Sequence, residues 1–363
     1  MSAPRVQIAG AGPAGLTCAI VLARAGVGVD VHERRERLGH RFCGDYHGVE
    51  NWSADEDVAE ALARWGIERR FLFEPVRSVL LSNGRRVATV ASERPVFYLV
   101  ARGDGPGSLE RGLAEQAQAL GARLHLGSAV APERADVVAT GPDPKHRFCV
   151  ETGIRFRTSS PDVAVGLVHP RAAHRGYAYL LVHEGWGCLC VVCFGGFDRA
   201  KEQLSIAQAI LTRQLGLDVR DAAPLGGYGS FRLHPELGAP RRPRVGEAAG
   251  LQDFVWGFGI HKAMASGALA AESLLASSDY VAAAGATLAP QQPLGVVNRF
   301  LWEATAYVGF GAYLRAIERS SRPLGPLRSA HAPRLSHRLL LPLARYALSG
   351  RYASLFDRAA PSR

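Results

Sequence analysis

The sequence lacks the patterns by which several protein classes are recognised. Its six cysteines have no regular spacing and no signal peptide is expected, which favours a reducing cytoplasm over a disulfide scaffold. No internal repeat is present. The stretch from Val6 to Ala23 has no charged residue and could be taken for a membrane anchor. Glycines interrupt it and no basic n-region precedes it, so a different role is expected.

A metal site is also not indicated, although three cysteines lie close together. If their segment is a strand, alternation places Cys188 and Cys190 on one face and Cys193 on the other. No second pair of cysteines or histidines has the spacing of a zinc site. We therefore interpret these cysteines as residues of a β-sheet core and expect no metal.

Acidic residues are scarce near the end of the chain. Residues 290–363 contain eleven Arg, no Lys, two Glu and one Asp, which is about +8 of the formal net charge of +10. No nucleic-acid recognition motif accompanies these arginines, so nucleic acid is not an expected partner. Solvated arginines on closing helices are one interpretation. Attraction to an acidic membrane surface or an acidic carrier protein is the other, so the protein is expected in the cytoplasm or at the periphery of a membrane.

Length and composition indicate a globular protein with more than one core. The chain has 363 residues, which suggests two subdomains, and 47% of them are hydrophobic, which excludes bulk disorder. Among its local elements we predict a polar helix over residues 55–65. Ser53 is its expected N-cap, and Gly66 its expected end.

The most informative segment is RVQIAGAGPAGLTCAIVLARAGVGVDVHER, residues 5–34. A short apolar strand leads into Gly10, Gly12 and Gly15, a helix follows, and a second strand ends at Glu33. The three glycines suit a tight turn, a close approach of backbone to a pyrophosphate, and close packing of helix on strand. Glu33 is placed to bind an adenosine ribose. The segment predicts a dinucleotide site whose contacts are Gly10, Gly12, Pro13, Ala14, Gly15, Glu33 and Arg34.

A second segment, RVGEAAGLQDFVWGFGIHKAMASGALAA, begins at Arg244. It resembles the distal FAD motif of the glutathione-reductase-like superfamily, and more closely that of the geranylgeranyl-reductase-like branch, which shares its fold with the aromatic hydroxylases. Gly246 matches the family glycine, and Glu247 stands where Asp is commoner. Gly257, Gly259 and Ile260 match the glycine-rich stretch beside the flavin. The resemblance implies that these five residues bind FAD.

Two arginines also match family positions. Arg102 resembles the arginine that reaches the FAD pyrophosphate, and Arg41 resembles a second flavin-contacting arginine. The resemblance covers most of residues 1–285. It implies an α/β fold (α+β overall) with a Rossmann-type FAD-binding domain, an inserted antiparallel β-sheet substrate domain and C-terminal helices. The expected ranges are 1–75, 101–148 and 230–285 for the FAD-binding domain, 76–100 and 149–229 for the substrate domain, and 286–363 for the helical region.

The residues that decide the chemistry are expected along the flavin face. Cys43 lies near a family cysteine, and a functional thiol and a buried small residue are both compatible with it. His47 and His261 are the other candidate catalytic residues, as groups that transfer protons, although His261 also suits a surface helix start. The candidate substrate-binding residues, some of which are equally compatible with structural roles, are Glu50, Trp52, Tyr177, Tyr179 and Trp256.

Missing motifs narrow the reaction. The chain has neither the WxWxIP segment of flavin halogenases nor the CxxCxxxxC disulfide of disulfide reductases. It has no second GxGxxG for a separate nicotinamide domain, so electrons are expected from transiently bound NAD(P)H or another external donor.

Three functions remain open after these exclusions. The favoured one is reduction, or the reverse desaturation, of a C=C bond in a hydrophobic prenyl- or polyketide-like small molecule by hydride transfer at flavin N5. The alternative is NAD(P)H-dependent hydroxylation by a flavin monooxygenase. A lipid-escort protein that has lost FAD is the third.

Overall fold

The computed structural model describes residues 5–144, 147–232, 234–320, 322, 324–330, 332 and 334–352. Part of the predicted C-terminal helical region, residues 353–363, therefore lies outside the described residues. In chain order the helices are α1 (Pro13–Arg24), α2 (Val58–Trp65), α3 (Leu109–Ala119), α4 (Ala200–Leu215), α5 (Ile260–Leu275), α6 (Tyr280–Thr287), α7 (Gln291–Glu318), α8 (Gly325–Ala330) and α9 (Leu335–Ser349).

The strands divide into sheets that draw on distant parts of the chain. They are β1 (Val6–Ala9), β2 (Val29–Glu33), β3 (Tyr46–Glu50), β4 (Glu74–Val76), β5 (Ser78–Ser82), β6 (Val87–Ala91), β7 (Phe97–Ala101), β8 (Arg123–Leu126), β9 (Val137–Val138), β10 (Arg147–Arg157), β11 (Val163–Leu167), β12 (Tyr177–His183), β13 (Trp186–Cys193), β14 (Arg220–Ser230), β15 (Gly238–Ala239) and β16 (Arg242–Pro243). The last two form a two-stranded sheet.

The first sheet is a four-stranded parallel sheet in the order β8-β2-β1-β9. Helix α1 returns the chain from β1 to β2, as in a Rossmann βαβ unit, and packs against α3 and α5. Because β2 and β9 flank β1 on opposite sides, a crevice opens at the carboxyl end of β1, where this fold binds its ligands. The predicted Rossmann-type domain is present.

A three-stranded antiparallel sheet, β3-β7-β4, lies beside it. Strand β7 lies largely within residues 76–100, a range predicted for the substrate domain. It pairs instead with β3 and β4, so the expected boundary at residue 100 cuts through a sheet. Backbone pairing between strands distant in sequence decides which sheet β7 joins, and the hydrophobicity of the strand itself does not predict that pairing.

The largest sheet has seven strands in the order β14-β10-β13-β12-β11-β5-β6. Its pairs are antiparallel except for β5 with β11. Side chains alternate between two faces, as the period of a strand requires. One face packs on α4 and includes Cys193, whereas Cys188 and Cys190 lie on the other. All three cysteines are buried.

Helices α7 and α9 close the other side of the molecule. They form a core with the aromatic side chains of Phe148, Phe254 and Phe310, and α7 also contacts β6. Of the helices in the described residues, none combines the length and the apolar character that crossing a bilayer requires.

Helix α2 begins three residues later than predicted. Its N-cap is Asp57, whose carboxylate accepts a hydrogen bond from the N–H of Ala59, and it ends at Gly66 in the left-handed conformation. The predicted cap, Ser53, lies outside the helix. The acidic run before the helix offers several possible caps. Hydrogen bonds to the Asp57 carboxylate from the Asn51 amide and the Tyr98 hydroxyl, both 2.8 Å long, favour that residue.

Candidate functional site

A cavity of about 530 Å³ extends from the carboxyl edge of the Rossmann sheet to the inner face of the seven-stranded sheet. Its Rossmann end, which we call the dinucleotide end, is lined by residues that include Gly12, Pro13, Ala14, Glu33, Arg34 and Thr140. Its other end, which we call the sheet end, is lined by residues that include Leu81, Val90, Ala164, Leu181, Val192 and Tyr313. The two ends are parts of one continuous space.

The three glycines of the first segment have different tasks in the structure. Gly10 has a φ of +111°, and a Cβ there would overlap the carbonyl oxygen of Ala139. A Cβ at Gly15 would overlap the carbonyl oxygen of Gly10. Neither residue lines the cavity. Gly12 does line it, and a Cβ there would meet nothing within 4 Å, so this position faces open space.

Two helix N-termini point into the cavity. Gly12 is the N-cap of α1 and Gly259 is the N-cap of α5, and both residues line the space. Neither helix has a side-chain cap or an acidic residue in its first turn. Their free N–H groups and dipoles therefore favour a bound anion. A dinucleotide pyrophosphate fits these donors, and Glu33 at the end of β2 suits its ribose.

The carboxylate of Glu33 is held by backbone. It accepts hydrogen bonds from the N–H groups of Ala11, at 3.2 Å, and Arg35, at 3.0 Å. The first of these contacts joins the glycine turn to the end of β2. Glu33 and its neighbour Arg34 both line the dinucleotide end.

Arg102 lines the cavity with its charge already paired. Its Nε donates to Oε1 of Glu110 over 2.7 Å, and its guanidinium lies 4.1 Å from the centre of the Phe42 ring. Glu110 is buried and also accepts from the N–H of Gly103 at 3.0 Å. The sequence analysis missed Glu110. Its position eight residues after Arg102, in the first turn of α3, is the signal that would have identified it.

Arg41 lies between the two ends of the cavity. Its Nη1 is 3.5 Å from Oε2 of Glu247, and its Nη2 donates to the carbonyl oxygen of Tyr228. Glu247 accepts a hydrogen bond from the N–H of Ser230 at 3.0 Å. Burial raises the pKa of the Glu247 carboxyl, and Arg41 opposes that rise. The longer acid at this position therefore reaches the cavity wall with a cationic partner.

Gly246 supports the site from behind. It has a φ of +62°, and its N–H donates to Oγ of Ser266 over 2.8 Å. A Cβ there would lie 3.0 Å from the Cβ of Ala14. The residue does not line the cavity, whereas Gly257, Gly259 and Ile260 do.

His47 meets an acid that the sequence analysis did not identify. Its Nδ1 lies 3.5 Å from Nη1 of Arg102, and its Nε2 lies 4.0 Å from Oε1 of Glu151 on β10. Burial, together with Arg102 and Arg41, holds the pKa of His47 well below its usual value. Glu151 accepts a hydrogen bond from the hydroxyl of Tyr179, and burial raises the pKa of its carboxyl. Strand β10 also contains Arg147, Arg155 and Arg157, so no sequence signal distinguished Glu151.

Aromatic side chains form part of the cavity wall. The Tyr177 hydroxyl donates to the carbonyl oxygen of Trp256, and the two rings pack edge to face with centroids 5.2 Å apart. Trp52 packs in the same manner on Phe258, at 4.7 Å. All four side chains line the cavity, so the candidate residues Trp52, Tyr177 and Trp256 come together.

Three predicted residues do not reach this cavity. Cys43 is exposed, and its N–H donates to Oδ1 of Asp45 over 2.6 Å. Glu50 is buried, with 2% of its surface exposed, at the end of β3. His261 lies near the Trp65 ring, with centroids 6.2 Å apart, and burial lowers its pKa to about 4. None of the three is among the residues that line the cavity, so the catalytic roles of Cys43 and His261 and the substrate-binding role of Glu50 stay predictions.

Comparisons with known proteins agree with this geometry. Residues 8–50 match the family described as NAD(P)-binding Rossmann-like domain. No curated protein shows a significant sequence match.

Solved structures match over nearly the whole chain. One is a geranylgeranyl bacteriochlorophyll reductase-like protein from Thermoplasma acidophilum, with a TM-score of 0.70, 17% identity, and coverage of 96% of this chain and 98% of that one. A second is the flavin-dependent brominase Bmp2, with a TM-score of 0.62, 16% identity and coverage of 95% and 98%. A third is a variant of 2-methyl-3-hydroxypyridine-5-carboxylic acid oxygenase, with a TM-score of 0.55, 17% identity and coverage of 91% and 96%.

These structures share one fold across reductase-like, halogenating and oxygenating proteins. At 16–17% identity the likeness concerns the fold, and it confirms the fold that the resemblance of the two glycine-rich segments implied. The chain has the fold that these reductase-like, brominating and oxygenating proteins share.

Proposed function

We propose that this protein is an FAD-dependent oxidoreductase that reduces, or in reverse forms, a C=C bond in a hydrophobic small molecule. The observation that carries the proposal is the continuity of the cavity, which joins an anion-binding dinucleotide end to an apolar sheet end. FAD bound there supplies two-electron chemistry. The chain supplies the N-termini of α1 and α5 for the pyrophosphate, Glu33 for the ribose, and Arg41 and Glu247 near the second glycine-rich segment.

The sheet end supports an apolar substrate. Its strand residues are mostly aliphatic or aromatic, among them Leu81, Ala164, Leu181 and Val192. Each CH₂ group of a prenyl- or polyketide-like chain that is buried in such surroundings contributes about 0.8 kcal/mol to binding through its transfer from water. The polar groups at this end, Glu151 and the tyrosine hydroxyls, are few, as in cavities where specificity depends on a small number of contacts.

Anaerobic mixing tests the proposal. Purified protein should show a flavin spectrum, lose it on addition of NADPH, NADH or a chemical reductant, and regain it when a long-chain alkene is added. An alkane of the same length is the control. Reoxidation by oxygen with a hydroxylated product, and none by alkenes, would show the monooxygenase that the oxygenase fold also supports. Absence of bound flavin, even after reconstitution with FAD, would favour the lipid-escort function.

A second proposal concerns the surface of α9. Four of its side chains form an outward stripe at helical spacing: Leu335 (71% exposed), Leu339 (71%), Leu343 (52%) and Tyr346 (83%). The exposed arginines Arg334, Arg338 and Arg345 lie along one side of this stripe. The helix has no acidic residue. This combination suits a helix that lies in the interface of an anionic membrane.

Vesicle sedimentation tests this surface. We expect binding to vesicles that contain an anionic phospholipid, weak binding to phosphatidylcholine alone, and loss of binding in Leu339→Glu. The control is Leu126→Glu, an exposed leucine on the Rossmann sheet. Self-association of the wild-type protein in solution that Leu339→Glu abolishes, without lipid binding, would instead make the stripe a contact between copies of the chain.

A further inference from the structure

Glu151 is a partly buried acid of strand β10. It lies on the cavity-lining face of β10, where Tyr179, Cys190 and Val192 of the neighbouring strands are close to it. Among the described residues of the seven-stranded sheet that line the cavity, Glu151 is the carboxylic acid. Placing an acid at this partly buried position costs free energy, so packing alone does not explain the presence of Glu151.

The strand beside Glu151 leaves room in front of it. Position 151 pairs with Gly227 of β14, and a Cβ on Gly227 would lie 3.6 Å from Oε2 of Glu151 and 3.7 Å from Nη2 of Arg41. Gly229, two residues along the same face, also lines the cavity. The glycines keep the carboxyl group in contact with the cavity, and 19% of its side chain remains exposed.

Two neighbouring side chains approach the carboxyl group of Glu151. Tyr179 on β12 donates its hydroxyl to Oε1, and His47 on β3 approaches the same oxygen at 4.0 Å. The other titratable groups that act on it are Asp45, Arg41, Cys149, Tyr177, Cys188 and Cys190. Burial raises the pKa of the Glu151 carboxyl, and Asp45 adds to this rise, whereas the Tyr179 hydrogen bond and Arg41 oppose it.

We propose that Glu151 is the residue that donates a proton to the substrate in this cavity, with Tyr179 and His47 as positioning residues. The inference rests on the proposed function, because it assigns the proton of the C=C reduction. His47, predicted from the sequence as a proton-transfer group, is half-buried between Arg102 and Glu151, and burial together with Arg102 and Arg41 holds its pKa well below the usual value. It is therefore suited to orient the acid rather than to supply the proton.

The chemistry balances with the donor already named. Bound reduced FAD would supply a hydride, that is an electron pair and one hydrogen, to one alkene carbon and would itself be oxidised. The π bond breaks, and the second carbon takes the proton of the Glu151 carboxyl group, so that two C–H bonds form and the alkene is reduced. Glu151 is left as the carboxylate and takes a proton from water that enters the cavity after the product leaves.

The protonation state can be measured without turnover. The infrared spectrum of the purified protein at neutral pH should contain the carbonyl stretch of a protonated carboxylic acid, and Glu151→Gln should lose it. Tyr179→Phe should shift the titration of this band to higher pH, because the hydroxyl no longer stabilises the carboxylate. The control is Glu202→Gln, an exposed residue of α4, which should retain the band. A wild-type protein with no such band, or a spectrum in this region that Glu151→Gln leaves unchanged, overturns the proposal; a residual band can come from the Glu247 carboxyl, whose pKa burial also raises.

Transient kinetics separates proton donation from flavin binding. In Glu151→Gln, we expect unchanged anaerobic reduction of the flavin, whereas its reoxidation by the alkene slows about 10²- to 10⁴-fold. Tyr179→Phe should slow the same step less and shift its pH profile. If wild type reoxidises with alkenes and Glu151→Gln does so at the same rate, the assignment of Glu151 is wrong while the proposed function stands. If wild type does not reoxidise with any alkene, both fall.

Discussion

The two ends of the cavity are built in different ways. The dinucleotide end is formed mainly by backbone. Gly10 makes a turn, Gly15 allows close packing, and the N-termini of α1 and α5 present free N–H groups. At the sheet end, side chains from several strands form the walls. The first end can accept the same ligand in many proteins, whereas the second can change with each side chain. This difference explains how one fold includes reductase-like, halogenating and oxygenating proteins.

The glycine pair Gly10 and Gly12 gives the largest expected effect. Gly10→Ala should prevent accumulation of folded protein, since a Cβ would overlap Ala139 and the φ of +111° is unfavourable. Gly12→Ala should change the free energy of unfolding by no more than about 1 kcal/mol, because its Cβ meets no protein atom. It should nevertheless weaken FAD binding. Thermal denaturation with and without FAD measures both. Equal effects of the two changes would contradict the distinction between turn and ligand contact.

The buried pair of Arg102 and Glu110 should give the next largest effect. Glu110→Gln leaves Arg102 without its anionic partner and should lower the free energy of unfolding by about 3–5 kcal/mol. Glu115→Gln on the same helix is the control, because Glu115 pairs with Arg111 at the surface and should cost less than about 1 kcal/mol. Urea denaturation compares them. Similar costs for both variants would show that burial does not strengthen the Arg102 pair.

Filling the sheet end should affect the substrate and leave FAD in place. Ala164→Phe places a ring in the apolar part of the cavity and should raise KM for a long-chain alkene about tenfold, or about 1.4 kcal/mol. The flavin absorbance of the purified protein should not change. Ala223→Phe is the matched control, because Ala223 is exposed on the edge strand β14. A loss of flavin in Ala164→Phe alone would mean that the two ends are not separable.

The pH dependence of stability should give the smallest effect. The raised pKa of the Glu151 carboxyl contributes stability that is present below its unfolded value, and this is lost as pH rises through the folded value. Glu151→Gln should therefore become more stable relative to wild type as pH increases from about 4 to about 8. Urea denaturation across this range measures the difference, and Glu202→Gln should show none. A difference that shrinks with rising pH would show a carboxylate stabilised as the anion.

The sequence predicted the backbone features of the dinucleotide end better than the positions of side chains. The glycine turn and the second glycine-rich segment lie in the predicted places, because each depends on residue types within a short stretch. Where Cys43, Glu50 and His261 lie relative to the cavity depends on how a loop, a strand and a helix pack in the folded chain, which a short stretch of sequence does not report. The cap of α2 shows the same limit: Asp57 owes its place partly to Tyr98, a residue of another strand.

By itself, the sequence determined a Rossmann-type βαβ unit, predicted a dinucleotide site on it and showed a resemblance to flavoproteins, because glycine geometry and helix N-termini are local properties of the chain. Only the tertiary structure decided what faces the substrate. Glu151, Tyr179 and His47 come from strands of two sheets, and strand pairing and the packing of those sheets bring them together. The physical reason is that backbone conformation depends mainly on nearby residues, whereas the environment of a buried acid depends on partners that are distant in the sequence.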